Sequence, residues 1–267
     1  MPRLGDGDDT RAQGDAALVK LALISDIHAN LPALEAVLAD IERRGDIGAT
    51  YHLGDLVGYA PWPNETVALI RSRGIVGVSG NYDSTIAAGY KHCGCQYEDP
   101  RQEALSHESY AWTRAHVSGE TKAFLGALPF RVDVSMRGGH EGGGRIALVH
   151  GTPTMNTVYW TENWSDEFCL KMASLAGLST GDLIAFGHTH LPWHREIEGI
   201  HFVNTGSVGR PKDGDGRAGY VTVETGTEPT VEFVRVPYEV DRVALAIAAS
   251  GLPVEFGDFL RTGGRLD

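Results

Sequence analysis

The chain has 267 residues, of which 42% are hydrophobic and 22% are charged, and its formal net charge at pH 7 is −12. This composition is typical of a folded globular protein and excludes a fibrous or disordered chain. The acidic balance and the lack of Lys and Arg runs argue against a nucleic-acid-binding surface. An anionic ligand would therefore need positive charge from another source.

The cysteine content and the hydropathy pattern indicate the compartment. Three cysteines are an odd and sparse set, which fits a reducing environment better than a secreted disulfide framework. No run approaches the roughly 18 consecutive apolar residues of a membrane span. We therefore predict a cytoplasmic protein with no membrane partner. Residues 1–17 have almost no large apolar side chain, which predicts a loose tail and not a signal peptide, and residues 18–267 are predicted to form one domain.

Strands and helices alternate in the first part of this domain. Val19–Ile24 is a short apolar run typical of a buried strand, and the helix after it has Pro32 in its first turn and Gly45 at its end. The stretch "ATYHLGD" predicts a second strand, "NETVALIRSRG" a helix with Asn64 as a candidate cap, and "IVGVSGN" a third strand. This order predicts parallel strands whose carboxyl ends share one sheet edge.

The second part of the domain repeats this design after an interruption. Residues 84–145 predict a helical insertion with two helices and the Gly-rich stretch "RGGHEGGGR". The strands "RIALVHG", "DLIAFGHTH" and "IHFVNTGS" then each end in polar residues, and a helix from Ser165 to about Ala176 separates the first two. The stretches "AGYVTVE" and "PTVEFVRV" predict an antiparallel hairpin, and "DRVALAIAAS" predicts a closing helix.

Polar side chains at these strand ends are candidate metal ligands. Ligands of an open α/β sheet lie outside the carboxyl ends of its strands, so these side chains should converge. In extended backbone, residues two apart point to the same side, so Asp26 and His28 should face one ion. Carboxylate, imidazole and amide groups without a thiol suit Mn, Fe or Zn, and two such ions would supply the positive charge for a phosphate. The candidate ligands are Asp26, His28, Asp55, Asn81, His150, His188 and His190.

The motifs "SDIH", "LGD", "GNYD", "VHG" and "GHTH", in this order, resemble the motif series of the calcineurin-like metallophosphoesterases. The later "NTGSVGRP" is similar to the "NPGS" stretch of the small bacterial phosphodiesterase branch of that family. The resemblance implies an α/β (α+β) fold with two packed mixed β-sheets flanked by helices, a four-layer αββα sandwich. It also implies two divalent metal ions and a hydroxide that bridges them and attacks phosphorus. One metal would be held by Asp26, His28, Asp55 and His190, and the other by Asp55, Asn81, His150 and His188.

One position departs from the family pattern. Tyr82 stands where many members have a His that is thought to protonate the leaving group. A phenol has an ordinary pKa of about 10 and is a poor proton donor at neutral pH, so we predict a preference for diesters or for acidic leaving groups. Asp55, Asn81, Asp83 and His150 are the candidate catalytic residues, with Asp83 orienting a ligand by a hydrogen bond. The candidate substrate-binding residues are Tyr82, Asn204 and Ser207, although "NTGS" also reads as a tight turn.

The leading interpretation is a phosphodiesterase that acts on a small, nucleotide-like phosphate ester. The alternatives are a non-catalytic metal-binding scaffold and a phosphatase that acts on proteins or phosphomonoesters. Three weaker signals remain open. "HCGC", with Cys93 and Cys95, resembles half a zinc site, but a loop of reduced thiols is favoured. Arg210 and Lys212 either guide an anion or lie in solvent. The aromatic residues Tyr159, Trp160 and Trp164 either stack on a base or, as we favour, pack in the core.

Overall fold

The computed structural model describes residues 19–95, 99–136, 144–226 and 228–265. The predicted tail, residues 1–17, and most of the Gly-rich stretch lie outside the described residues. The strands are β1 (Lys20–Ile24), β2 (Ile47–His52), β3 (Val76–Gly77), β4 (Val132–Ser135), β5 (Arg145–Leu148), β6 (Leu183–Phe186), β7 (Trp193–Ile197), β8 (Ile200–Asn204), β9 (Ala218–Glu224) and β10 (Thr230–Val236). The helices are α1 (Leu31–Arg44), α2 (Pro63–Ser72), α3 (Asn81–Ala87), α4 (Pro100–His116), α5 (Gly119–Gly126), α6 (Asp166–Leu175), α7 (Val240–Ser250) and α8 (Glu255–Thr262).

The strands form two mixed sheets of five strands each, in the orders β10-β9-β1-β2-β3 and β4-β5-β6-β8-β7. In the first sheet β1, β2 and β3 are parallel, as predicted, and β9 and β10 add the predicted antiparallel hairpin. In the second sheet β5, β6 and β8 are parallel. The carboxyl ends of β1, β2, β3, β5 and β6 lead into the loops that carry the candidate ligands, and β8 leads into the "NTGS" turn.

Alternation along the strands explains how the layers pack. Leu21 and Leu23 of β1 pack with Leu148 and Ala185 of the second sheet, so this cluster fills the space between the sheets. Ala22 and Ile24 point the other way and pack under α1 and α7. On the far side, α6 covers the second sheet. The predicted αββα sandwich is therefore confirmed. None of the described helices has the length and apolar character needed to cross a bilayer.

Several local predictions differ from the structure. Asn64 does not cap α2, because Pro63 takes the first helical position; its Oδ1 instead accepts hydrogen bonds from the Ser118 N–H and the Thr121 hydroxyl. The third strand is only two residues long, and α3 begins immediately at Asn81. The short elements β4, β7 and α8 were not predicted, although Phe256, Phe259 and Leu260 of α8 have helical spacing.

A buried histidine in β2 makes stability depend on pH. Neither ring nitrogen of His52 has a hydrogen-bond partner among the described residues, and burial lowers its pKa from 6.5 to about 3. The unfolded chain binds this proton below about pH 6.5, whereas the folded chain does not until about pH 3. The free energy of unfolding should therefore decrease as the pH falls through this window, with about 2 to 3 kcal/mol from His52 between pH 7.5 and 4.5.

The substitution His52→Gln should make this decrease in the free energy of unfolding smaller, because the side-chain amide of Gln does not titrate. The measurement is denaturant unfolding of both proteins at pH 7.5 and 4.5, in which the other histidines contribute equally to each protein. His92→Gln, at an exposed position, is the matched control and should leave the loss unchanged. An equal decrease in wild type and His52→Gln would contradict the assignment.

Candidate metal centre

Six of the predicted ligands lie in two groups at the carboxyl ends of the parallel strands. The Asp26 group contains Asp26, His28 and His190, and the Asp55 group contains Asp55, His150 and His188. Within each group one ligand atom of each residue lies within 4.8 Å of the others, and all six residues are buried. The two histidines of "GHTH" are thus divided between the groups.

Left-handed backbone turns, and not extended strand, aim most of these side chains. Asp26, His28, Asp55, His188 and His190 have φ values of 51°, 49°, 52°, 66° and 62°. Such angles are uncommon for residues with a side chain and are retained where the surrounding structure enforces them, often at functional sites. The expectation that extended backbone aligns the residues of "SDIH" is therefore wrong, although it paired the correct residues.

Hydrogen bonds to backbone carbonyls define the proton positions on three imidazoles. A carbonyl only accepts, so Nδ1 of each ring must carry the proton, and Nε2 presents a lone pair to the centre. This is the orientation that metal-binding histidines usually show. The pairs are His28 Nδ1 with Val57 O at 3.1 Å, His150 Nδ1 with Leu53 O at 2.7 Å, and His190 Nδ1 with Arg210 O at 2.6 Å.

The inward-facing atoms of both groups lack the protons needed to satisfy one another. His28 Nε2 and His190 Nε2 are 3.0 Å apart, and both of these atoms are acceptors in this tautomer. His150 Nε2 lies 3.0 Å from Asn81 Oδ1, which is also an acceptor. Acceptors brought this close need a proton or a cation between them.

Two further buried acceptors have no hydrogen-bond partner among the described residues. They are Asp26 Oδ1 and His188 Nε2. The other oxygen of Asp26 accepts hydrogen bonds from the Ser25 hydroxyl and from the His188 N–H, which orients the free oxygen toward His190 at 3.2 Å. A donor set of imidazole, carboxylate and amide oxygen fits divalent first-row metals such as Mn, Fe and Zn.

Asp55 lies between the two groups. Its Oδ1 accepts a hydrogen bond of 2.9 Å from the Tyr82 N–H. Its Oδ2 is 3.7 Å from His28 Nε2 and 3.6 Å from His150 Nε2. One carboxylate oxygen therefore faces both groups, which is the position that a bridging ligand requires.

The electrostatic environment keeps most of these imidazoles neutral. Burial, with a contribution from neighbouring His190, lowers the pKa of His28 well below its ordinary value, and burial next to His150 does the same for His188. Burial and the Lys212 charge lower the pKa of His190 to about 4. These three rings are therefore in the unprotonated form that binds a metal. Burial opposes protonation of His150 as well, but Asp55 and Asp26 raise its pKa.

Asn81 lies beside the Asp55 group, and the loop that contains Cys93 and Cys95 holds its side-chain amide in place. Its Nδ2 donates to Cys93 O and to Cys95 Sγ, both at 3.2 Å, which leaves Oδ1 facing His150. Cys93 and Cys95 form a disulfide, so the expectation of reduced thiols is wrong in this structure. Gly94, with φ of 76°, makes the turn that brings their Cα atoms to 5.4 Å.

Three other predicted site residues shape the loops and do not face the cavity. Both carboxylate oxygens of Asp83 accept backbone N–H groups, from Leu56 at 2.9 Å and from Gly80 at 3.0 Å. A further hydrogen bond joins Asp83 to the backbone of Asp55, so Asp83 contacts a candidate ligand residue through its main chain. Asn204 donates to Gly187 O and Thr189 Oγ1, both at 2.9 Å, and Ser207 donates to Asp26 O at 2.7 Å. Both "NTGS" side chains are buried and engaged within the protein, which fits the tight-turn interpretation.

A cavity of about 520 Å³ opens onto the two groups. Tyr82 lines it, together with residues that no sequence motif marked, including Tyr59 and Gln102. Tyr159 also lines it, with its ring 4.3 Å from the His188 ring. Trp160, by contrast, is fully buried against Phe186, as favoured for the core. Arg210 and Lys212 are in the lining and not free in solvent.

Comparisons with known proteins find relatives that are similar to nearly the whole chain. The chain is 31% identical over 266 residues to the uncharacterised protein MJ0912 of Methanocaldococcus jannaschii, covering 91% of this chain and 98% of the relative. A crystal structure of a metallophosphoesterase from Sphaerobacter thermophilus is 28% identical with a TM-score of 0.69, covering 92% of this chain and all of that one. The hypothetical protein PH1004 of Pyrococcus horikoshii has the same fold, with a TM-score of 0.77 at 22% identity and coverage of 93% and 100%.

The family comparison covers most of the described structure. The model of the calcineurin-like phosphoesterase superfamily domain matches residues 19–228, which include both sheets up to β9 and every candidate ligand. Members of this superfamily depend on metal ions, in agreement with the two groups of buried acceptors. The chain belongs to the calcineurin-like phosphoesterase superfamily.

Proposed function

We propose that this protein is a dinuclear metal-dependent phosphodiesterase that hydrolyses small, nucleotide-like phosphate esters. The observation that carries the proposal is the position of Asp55 Oδ2, which faces both groups of buried acceptors. Two separate acceptor groups that share one carboxylate oxygen form the arrangement expected for two adjacent cations. Two adjacent cations suit in-line displacement at phosphorus.

The residues of the chain would divide the work as follows. Asp26, His28 and His190 would hold one ion, and His150, His188 and Asn81 the other. Asp55 would contact both. When bound, the two ions supply the positive charge that activates a water molecule and offsets charge on the phosphoryl oxygens. The carbonyl-bound imidazoles keep their lone pairs aimed inward without rearrangement, which is the preorganisation that this chemistry requires.

The preference for diesters rests on Tyr82. This side chain is buried in the cavity lining, and its ring lies 5.5 Å from the His28 ring, against Tyr59 and Tyr110. A phenol is a weaker proton donor than an imidazolium, so expulsion of a poor alkoxide leaving group receives less help. Diesters with acidic leaving groups need that help least.

Metal analysis combined with a substrate panel tests the function. The full chain, depleted with a chelator and reloaded separately with Mn, Fe(II) or Zn, should bind about two ions per chain. It should hydrolyse bis-p-nitrophenyl phosphate faster than p-nitrophenyl phosphate, and the chelated protein should be inactive. A clear preference for the monoester would refute the diester assignment. Full metal loading without turnover of any phosphate ester would favour the non-catalytic scaffold.

A further inference from the structure

Two cations on the cavity wall have no role in the function proposed above. Arg210 and Lys212 line the cavity beside His190, in a chain with a net charge of −12. Among the ion pairs within the described ranges, neither residue has a carboxylate partner, although exposed arginines such as Arg217 and Arg261 do. Placing unpaired cations in a partly desolvated cavity is costly unless an anion joins them.

Arg210 is held in a defined orientation. Its side chain is 4% exposed, and its guanidinium carbon lies 4.1 Å from the centre of the Tyr59 ring and 3.8 Å from that of Phe259. Its Nε has no hydrogen-bond partner among the described residues. Aromatic rings against the faces of a guanidinium leave its N–H groups directed outward in the plane, where they suit a phosphate.

The position of the two cations relative to the acceptor groups is also defined. The carbonyl of Arg210 accepts the hydrogen bond from His190 Nδ1, and the Lys212 N–H donates to the His190 carbonyl at 3.4 Å. The Tyr59 ring, which contacts the guanidinium, lies 4.9 Å from the His28 ring. The cations thus border the Asp26 group but offer no ligand atom to a metal, since both are donors only.

We propose that Arg210 and Lys212 form a subsite for a second phosphate group, so that the preferred substrates are phosphodiesters that carry a further phosphate on one ester group. This inference rests on the proposed function. Hydrolysis consumes one water, whose oxygen forms the new P–O bond, and the P–O bond to the leaving group breaks. The products are a phosphomonoester and an alcohol, and the alcohol oxygen takes up a proton from the water. The second phosphate is unchanged in this reaction and serves only to bind and orient the substrate.

A matched pair of substrates tests the subsite. Two p-nitrophenyl esters of thymidine 5′-phosphate, one with a free 3′-hydroxyl and one with a 3′-phosphate, release the same chromophore. In the metal-loaded full chain, kcat/KM should be about tenfold or more higher for the 3′-phosphorylated ester, as charge-assisted hydrogen bonds to the extra phosphate predict. Lys212→Met and Arg210→Met should each lower this ratio, mainly through KM. Lys171→Met, at an exposed position, is the control and should keep the wild-type ratio.

A binding measurement separates failure of the subsite from failure of the proposed function. Calorimetry of the metal-loaded protein should show about tenfold tighter binding of thymidine 3′,5′-bisphosphate than of thymidine 5′-monophosphate, and Lys212→Met should reduce the difference. This test holds even if neither ester is hydrolysed, an outcome that would reject only the enzyme proposal. If Lys212→Met weakened the binding of both ligands equally, the cations would bind the scissile phosphate instead. The subsite would also be overturned if the wild-type protein bound the bisphosphate no more tightly than the monophosphate.

Discussion

Asp55→Asn is expected to lower kcat/KM for a diester by at least about 1,000-fold and to reduce the bound metal below one ion per chain. The change is local, because an amide oxygen can still accept the hydrogen bond from the Tyr82 N–H that Asp55 Oδ1 accepts at 2.9 Å. The amide nitrogen then takes the place of Oδ2, which lies 3.7 Å from His28 and 3.6 Å from His150. An N–H₂ group repels a cation, so both acceptor groups lose their shared ligand.

The measurements are steady-state hydrolysis of bis-p-nitrophenyl phosphate and elemental analysis of the same samples. Asp133→Asn makes the same chemical change at an exposed position of β4 and should leave both quantities unchanged. Circular dichroism should show that Asp55→Asn remains folded. An Asp55→Asn variant that is fully active without bound metal would refute the two-metal proposal.

Gly80→Ala is expected to destabilise the fold by about 2 to 3 kcal/mol and to impair metal binding. The backbone of Gly80 has φ of −76°, which alanine adopts without strain, so the effect comes from contact alone. An added Cβ would lie 2.0 Å from Asp55 Oδ1 and 2.2 Å from Asp55 N. Both atoms are held by buried neighbours, so the whole Asp55 loop must shift. That shift moves the oxygen on which both groups depend.

Denaturant unfolding of the metal-free protein measures the loss of stability, and metal titration of the folded variant measures the loss of affinity. Gly119→Ala is the matched control, because within the described parts of the chain no atom beyond its chain neighbours and its own helix backbone lies within 4 Å of the added Cβ. Gly119 occupies the first turn of α5. This control should be neutral or slightly stabilising, since alanine favours a helix. Wild-type stability and metal affinity in Gly80→Ala would contradict the close packing of the two loops.

The sequence was sufficient for the main elements because their burial pattern is local and periodic. The strand before Asp26 and the helix between Pro32 and Gly45 could both be assigned from apolar spacing and end signals, and the structure has them within a residue or two. The elements that the sequence did not predict are α3, β4, β7 and α8, and β3 is shorter than predicted. β3, α3, β4 and β7 are too short to leave a strong local pattern. The helix α8 escaped prediction although its apolar residues Phe256, Phe259 and Leu260 have helical spacing.

Five short motifs and the order of the strands were enough to identify the family and to group the six histidine and aspartate side chains. The division into two groups came from the family resemblance, whereas chain connectivity and the handedness of parallel crossovers explain why the strand ends meet at one edge. Only the tertiary structure decided how each side chain is aimed. The left-handed turns at Asp26 and Asp55, the inward burial of Ser207 and Asn204, and the cation pair Arg210 and Lys212 all depend on contacts between segments far apart in sequence. Local sequence preferences would oppose a left-handed aspartate or a buried arginine, and the packing of the assembled fold overrides them.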